Sequence, residues 1–152
     1  MKPVATNSIA TDCIVRERMP EAGTETILVV DDEMVVLTLT QAMLTRYGYT
    51  ALLASTGDEA LHFFEVWPDQ QVDLAVLDIV MPGIDGFELA ERLRILRPTL
   101  PILYTSAYSA RVELRPERTR SIPYLEKPFT SVSLIRKIRE MLDKPSGRSA
   151  SG

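Results

Sequence analysis

Short apolar runs alternate along this chain with longer stretches in which apolar residues recur every three or four positions. Ile27-Leu28-Val29-Val30, Leu74-Ala75-Val76-Leu77 and Ile102-Leu103-Tyr104 are too short for helices and too uniformly apolar to have a wet face. Such runs read as buried parallel strands. The pattern predicts strands at residues 26–30, 50–54, 72–77, 102–105 and 124–126. Between the first two, Val36, Leu39, Met43, Leu44 and Tyr47 predict a helix with Gly48 at its C-terminal end. A second helix carries Ala60, Leu61 and Phe64 behind a cap at Ser55 or Thr56 and stops at Trp67-Pro68. The third turns Phe87, Leu89, Ala90, Leu93 and Leu96 inward and ends before Pro98. A fourth helix falls in residues 111–120, where only Val112 and Leu114 are apolar and Pro116 interrupts the backbone pattern, so it should be short. The fifth, about residues 131–142, gathers Leu134, Ile135, Ile138, Met141 and Leu142 on one face. Strands and helices alternating through tight connections predict an α/β fold, a doubly wound five-stranded parallel sheet with helices on both faces.

The flanks carry no such pattern. Residues 1–24 end in Met19-Pro20-Glu21-Ala22-Gly23-Thr24 and are expected to form a flexible N-terminal tail. The alternative there is a short helix around residues 11–19, which would be a docking element. Residues 144–152 begin Lys144-Pro145-Ser146-Gly147 and read as a second flexible tail. The folded unit is therefore expected at residues 25–143.

Charged residues stand at the ends of three of the apolar runs. Asp31-Asp32 follow the first strand, Asp78 the third, and Lys127-Pro128 the fifth. In an open parallel sheet the carboxyl ends of the strands share one edge, and ligands bind there. Three carboxylates and an ammonium brought to that edge make a site for a divalent cation and a phosphoryl group. Plainer roles are also open to these residues: Asp31-Asp32 could be an N-cap and a first-turn acid, and Lys127 a solvated lysine at a strand end. His62 has no neighbouring Cys or His with which to share a metal, and Cys13 has no partners for nucleophilic chemistry.

Composition narrows the classes. The chain has 152 residues, is 45% hydrophobic, and carries a net charge of −4, so no strongly basic face is implied and direct DNA binding is not expected. No apolar run approaches the roughly 20 residues that span a bilayer. Thr6, Asn7, Ser8 and Asp12 stand where a signal peptide needs an apolar core. One cysteine excludes an internal disulfide. The expected location is cytoplasmic, away from membranes.

Four motifs in order resemble the receiver domain of a bacterial two-component response regulator: Val29-Val30-Asp31-Asp32-Glu33, then Asp78-Ile79-Val80-Met81-Pro82-Gly83-Ile84-Asp85-Gly86, then Thr105-Ser106-Ala107, then Lys127-Pro128-Phe129. The resemblance covers residues 25–143 and implies a flavodoxin-like fold. It implies that Asp78 is a phosphoacceptor, charged by a sensor histidine kinase or a histidine phosphotransfer protein. It further implies Mg2+ held by Asp32, Asp78 and the Val80 backbone carbonyl, with Asp31 acting through a bound water. Lys127 would reach the phosphoryl oxygens, aimed inward by a cis Lys127–Pro128 bond. Ser106 would be the switch hydroxyl, with Ala107 leaving room for a phosphoryl oxygen. Thr105 competes for that role, because alternate strand side chains face opposite ways and only one hydroxyl can face the pocket. Tyr124 matches the aromatic that turns inward when the hydroxyl moves, against the plainer reading of a half-buried edge-strand tyrosine.

Val80 and Tyr108 occupy the positions that tune dephosphorylation in this family. Val80 cannot hold an attacking water and Tyr108 is bulky, so slow self-dephosphorylation is expected. Too few residues follow Asp143 for an output domain. The signal is therefore expected to leave through the fourth helix, fifth strand and fifth helix toward a downstream protein. Arg136, Lys137 and Arg139 are expected on the exposed side of that last helix. No turnover of an external substrate is expected. A Mg2+-dependent aspartyl phosphatase of related fold would need an acid where Val80 stands, and a flavodoxin-like cofactor binder would need Ser, Thr and Gly in place of Asp31-Asp32. A receiver serving as a phosphate sink or shuttle, or one attached to a hybrid kinase, shares the same site.

Overall fold

The computed structural model describes residues 22–107 and 122–144. Five strands, β1 (Thr26–Val30), β2 (Thr50–Ala54), β3 (Leu74–Asp78), β4 (Ile102–Ala107) and β5 (Tyr124–Lys127), form one parallel sheet in the order β2-β1-β3-β4-β5. The described helices are α1 (Met34–Arg46), α2 (Gly57–Val66), α3 (Gly86–Leu96) and the C-terminal α4 (Ser131–Asp143). The helix expected within residues 111–120, the alternative helix around 11–19, and Tyr108 lie outside the described residues.

Strand alternation sorts the core into two layers. Leu28, Val30, Ala75 and Leu77 pack with Ala60 and Phe64 of α2 and Leu89, Ala90 and Leu93 of α3. Ile27, Val29, Leu74 and Val76 pack on the other side with Leu37 and Leu44 of α1 and Leu134, Ile135 and Ile138 of α4. With both faces covered, β1 and β3 have no wet side, which is why their sequences are continuously apolar. Each fully buried aliphatic or phenyl side chain stabilises the fold by about 1.5–3 kcal/mol.

The helix starts are set by side-chain caps. Thr56, not Ser55, caps α2 by accepting from Glu59 N at 2.9 Å, while Ser55 donates through both N and Oγ to the Glu59 carboxylate. Asp85 accepts from Glu88 N at the start of α3, and Thr130 and Ser133 form a reciprocal capping box on α4. Gly48 follows α1 at φ 95°, a conformation that favours glycine, and a Cβ there would lie 2.3 Å from the Gly23 carbonyl oxygen.

Several expected details differ. β3 starts at Leu74 rather than Val72, because the Asp73 carboxylate turns to accept from Thr26 N at 2.8 Å. β4 runs two residues further than expected, since Ser106 and Ala107 pair with Glu126 and Lys127. α1 departs from its apolar pattern in part: Leu44 is buried and Met43 and Tyr47 pack against the core as expected, but Leu37 and Thr40 are buried as well and Leu39 is 54% exposed. Leu96, expected inward, is exposed at the end of α3. Arg139 is not on the outer basic face of α4. It turns in to pair with Glu25 at 2.8 Å and to donate to the Tyr49 hydroxyl at 3.1 Å, so an acid just before β1 and a phenol between α1 and β2 decide its direction. That pairing pulls the Glu25 carboxyl below its ordinary value, chiefly through the Arg139 hydrogen bond. Arg136 stays exposed.

Candidate functional site

The strand order places a crevice where β1 and β3 lie side by side. From β1 the chain leaves through α1 on one face to the outer strand β2, then returns through α2 on the other face to β3. The connections diverge at the carboxyl ends of β1 and β3, which opens the sheet edge to a ligand.

Asp31 follows β1 and is 2% exposed. Its backbone N donates to Ala54 O at 3.2 Å, its Oδ1 accepts from Glu33 N at 2.9 Å, and its Oδ2 accepts from Lys127 Nζ at 2.9 Å. Asp78 ends β3, a strand buried along its whole length. Its Oδ1 accepts from Val80 N at 3.3 Å and its Oδ2 from Lys127 Nζ at 3.3 Å. Asp32 is exposed, with a carboxylate oxygen in the same cluster: ligand atoms of Asp31, Asp32 and Asp78 all lie within 4.8 Å of one another. Neither Asp31 nor Asp32 caps α1, whose N-cap is Glu33 with no side-chain cap and no acid in the first turn. Lys127 is not a solvated lysine either, being 8% exposed. The Lys127–Pro128 peptide is cis.

Backbone close to Asp78 is held by glycines. Gly86 opens α3 against the end of β3, where a Cβ would lie 2.5 Å from Asp78 O, and its N donates to Ile79 O at 2.8 Å. Only a hydrogen fits in that position, so the α3 N-terminus can approach the strand end directly.

The electrostatics of this cluster are unbalanced. Burial, then the neighbouring Asp31 charge, push the Asp78 carboxyl from 3.8 up to about 7, against the opposing pull of Lys127. For Lys127 burial disfavours the ammonium, but the Asp31 hydrogen bond and the Asp78 charge outweigh it and hold the group above its ordinary value. Three clustered carboxylates face one ammonium, so negative charge is in excess when all are ionised. A hard cation with oxygen ligands fits both that excess and the spacing of the oxygens.

The two candidate switch hydroxyls are both buried. Thr105 is in register with Asp78 and accepts Ile79 N on its carbonyl at 2.8 Å. Ser106, fully buried, has its Oγ 3.0 Å from the Tyr124 hydroxyl and donates weakly to Ala107 O at 3.3 Å. Tyr124 is half-buried on the edge strand β5, against the core layer of α2 and α3. Val80 stands 44% exposed at the rim.

Glu33 was not singled out as a site residue, yet its Oε1 is 3.8 Å from Lys127 Nζ. Its place directly after the acidic pair is the signal that could have found it. Beside it lies an apolar groove of about 450 Å³, lined among others by Val36, Leu39, Met43, Ala107, Lys127 and Phe129.

Comparison with known proteins agrees with this geometry. The family model described as "Response regulator receiver domain" matches residues 27–139. A curated relative, the autoinducer 1 sensor kinase/phosphatase LuxN of Vibrio campbellii, is 34% identical over 125 residues, covering 82% of this chain and 14% of LuxN. The DNA-binding transcriptional regulator NtrC of Bradyrhizobium is 35% identical over 127 residues, covering 82% of this chain and 26% of NtrC. The chain thus spans a minor part of the length of these relatives. Among solved structures, a CheY-like receiver domain protein from Methanospirillum hungatei superposes with a TM-score of 0.68 at 29% identity, covering 86% of this chain and all of that one. The chain belongs to the response regulator receiver domain family of two-component systems. Phosphorylation and Mg2+ binding through acidic residues are standard in that family. No helix among the described residues is long and apolar enough to cross a membrane.

Proposed function

We propose that this chain accepts a phosphoryl group on Asp78 from a phosphohistidine of a sensor histidine kinase or histidine phosphotransfer protein, and signals to a protein partner from its own surface. The unit that does so spans residues 25–143. The observation that carries this reading is the buried Asp78 carboxylate, 3.3 Å from Lys127 Nζ and clustered with Asp31 and Asp32 at the carboxyl edge of the sheet.

A carboxylate oxygen of Asp78 forms the new bond to phosphorus as the bond from phosphorus to the donor imidazole nitrogen breaks. Asp32, Asp78 and the Val80 carbonyl, with Asp31 through a water, would hold Mg2+, which would supply the positive charge that favours an ionised Asp78 and offsets the charge of the incoming group. Val80 N holds Asp78 Oδ1 and so fixes the carboxylate plane. Lys127 exchanges one of its carboxylate partners for a phosphoryl oxygen, a transfer its three donors and flexible stem allow. Ser106 turns from the Tyr124 hydroxyl toward the phosphoryl group with Ala107 leaving space beside it, and Tyr124 resettles. That rearrangement runs along β5 to α4, the face offered to the partner. No external substrate is turned over, and the protein works in the cytoplasm.

The test is exposure to acetyl phosphate with and without Mg2+, for wild type and Asp78→Asn. An acid-stable, alkali-labile gain of one phosphate that needs Mg2+ and vanishes in the variant is expected. Equal labelling of the variant, or labelling indifferent to Mg2+, overturns the assignment.

A further inference from the structure

Glu33 stands at the N-cap of α1, yet its side chain makes no capping hydrogen bond, and its backbone N is already held by Asp31 Oδ1 at 2.9 Å. The side chain is 64% exposed and, among the described residues, pairs with no cation but Lys127, at 3.8 Å. That separation is about 1 Å longer than a charge-assisted hydrogen bond.

The Lys127 ammonium is committed elsewhere. It donates to Asp31 Oδ2 at 2.9 Å and to Asp78 Oδ2 at 3.3 Å. Those two carboxylates belong to the cluster with Asp32 whose oxygens suit a hard cation. A divalent cation and an ammonium compete for the same oxygens and repel one another in a poorly solvated crevice. Lys127 is 8% exposed, so water cannot take over the ammonium where it stands.

We infer that Glu33 is a positioning residue: its carboxylate takes over the Lys127 ammonium when a divalent cation occupies the Asp31, Asp32 and Asp78 cluster, and keeps it at the rim within reach of an incoming phosphoryl group. This rests on the phosphoacceptor reading and adds a residue to that site.

The geometry allows the hand-over. Among the described residues Lys127 pairs with Asp31, Glu33 and Asp78, and of those three Glu33 alone lies outside the cation cluster. Glu33 and Lys127 both line the groove of about 450 Å³ beside the cluster, so the ammonium moves into open space and not into packed side chains. A flexible stem and three rotatable donors let Lys127 make a shift of about 1 Å without disturbing β5. An acid at this place has two plainer uses, attraction to the N-terminal end of the α1 dipole and direct attraction of the cation. Both act whether or not Lys127 is present; the hand-over needs it.

Calorimetric titration of the full chain with Mg2+ separates these. Glu33→Gln keeps the shape and removes the charge, and should weaken Mg2+ binding about fivefold. In the Lys127→Met background no ammonium has to be rehoused, and the same substitution should change binding by less than about twofold. Glu33→Asp needs no change at Lys127. It keeps the charge but is one methylene shorter and a favoured N-cap, so it turns to the α1 backbone and should weaken binding as Glu33→Gln does. Three results overturn the inference and leave the phosphoacceptor reading standing: no effect of Glu33→Gln, equal weakening with and without Lys127, or full affinity in Glu33→Asp. A wild type that binds no Mg2+ removes both.

Discussion

The hydroxyl oxygens of Ser106 and Tyr124 lie 3.0 Å apart across β4 and β5, where Ser106 has no exposure to solvent. A buried hydroxyl left without a good partner is destabilising, and the remaining bond to Ala107 O is long at 3.3 Å. Tyr124→Phe keeps the ring and removes the partner, so a loss of about 1 kcal/mol is expected in urea unfolding. Ser106→Ala in the Tyr124→Phe background should then lose little more. Additive losses would show that the two hydroxyls are not coupled.

Asp78 makes metal-free stability depend on pH in an unusual direction. Its carboxyl is raised from 3.8 to about 7, so the folded protein holds this proton more tightly than the unfolded chain. The associated stability is fully present below pH 3.8 and is lost as pH rises through about 7. In the presence of a chelator, Asp78→Asn should therefore raise the urea midpoint at pH 8, by an amount equivalent to a few kcal/mol at most, on the order of 1.4 kcal/mol per pKa unit. The gain should shrink toward pH 4. A variant no more stable than wild type at pH 8 would refute this account.

Lys127 opposes a metal and supports the apo fold at once. Its ammonium lies between Asp31 and Asp78, so Lys127→Met leaves two buried carboxylates facing one another. Breaking a buried ion pair costs about 3–5 kcal/mol when a charge is stranded, although protonation of Asp78 will absorb part of it. The same variant should bind Mg2+ more tightly, by about tenfold for each 1.4 kcal/mol of lost repulsion. Calorimetric titration with Mg2+ checks the sign, and weaker binding would count against a competing cation.

Val80 stands at the rim with 44% exposure and offers no polar atom beyond its backbone. Val80→Asn places an amide where a water could be held in line with phosphorus, so phosphate should leave Asp78 faster. Stability should change by no more than about 0.5 kcal/mol at such an exposed position. Decay of the phosphorylated species, followed by mass, decides it: unchanged or slower decay removes Val80 from this role.

The sheet and the position of the acidic cluster were legible because a doubly covered strand cannot hide its composition. Four consecutive apolar residues before Asp31 and before Asp78 admit few other structures. The cap of α2 was legible to within one position, Ser55 or Thr56, for the same local reason: Thr56 acts on a backbone group three residues away. The buried face of α1 was legible only in part. Of the expected face Val36, Leu39, Met43, Leu44 and Tyr47, Leu44 is buried and Met43 and Tyr47 pack against the core, but Leu39 is exposed while Leu37 and Thr40 are buried, and only packing against α4 and the sheet makes that choice. Arg139 was misplaced for a similar reason, since Glu25 and Tyr49 are remote in sequence and adjacent in space.

What this sequence determined by itself was the set of local facts: which runs are strands, which residues start helices, and that acids and a lysine end three of those strands. Local backbone preference and burial period act over a few residues and can be read in a line. Tertiary structure alone decided that Lys127 lies between Asp31 and Asp78, that Ser106 meets Tyr124, and that an apolar stripe of α1 borders the site. Those contacts join residues far apart in the chain, and their distances follow from the sheet order and register, which no local pattern records.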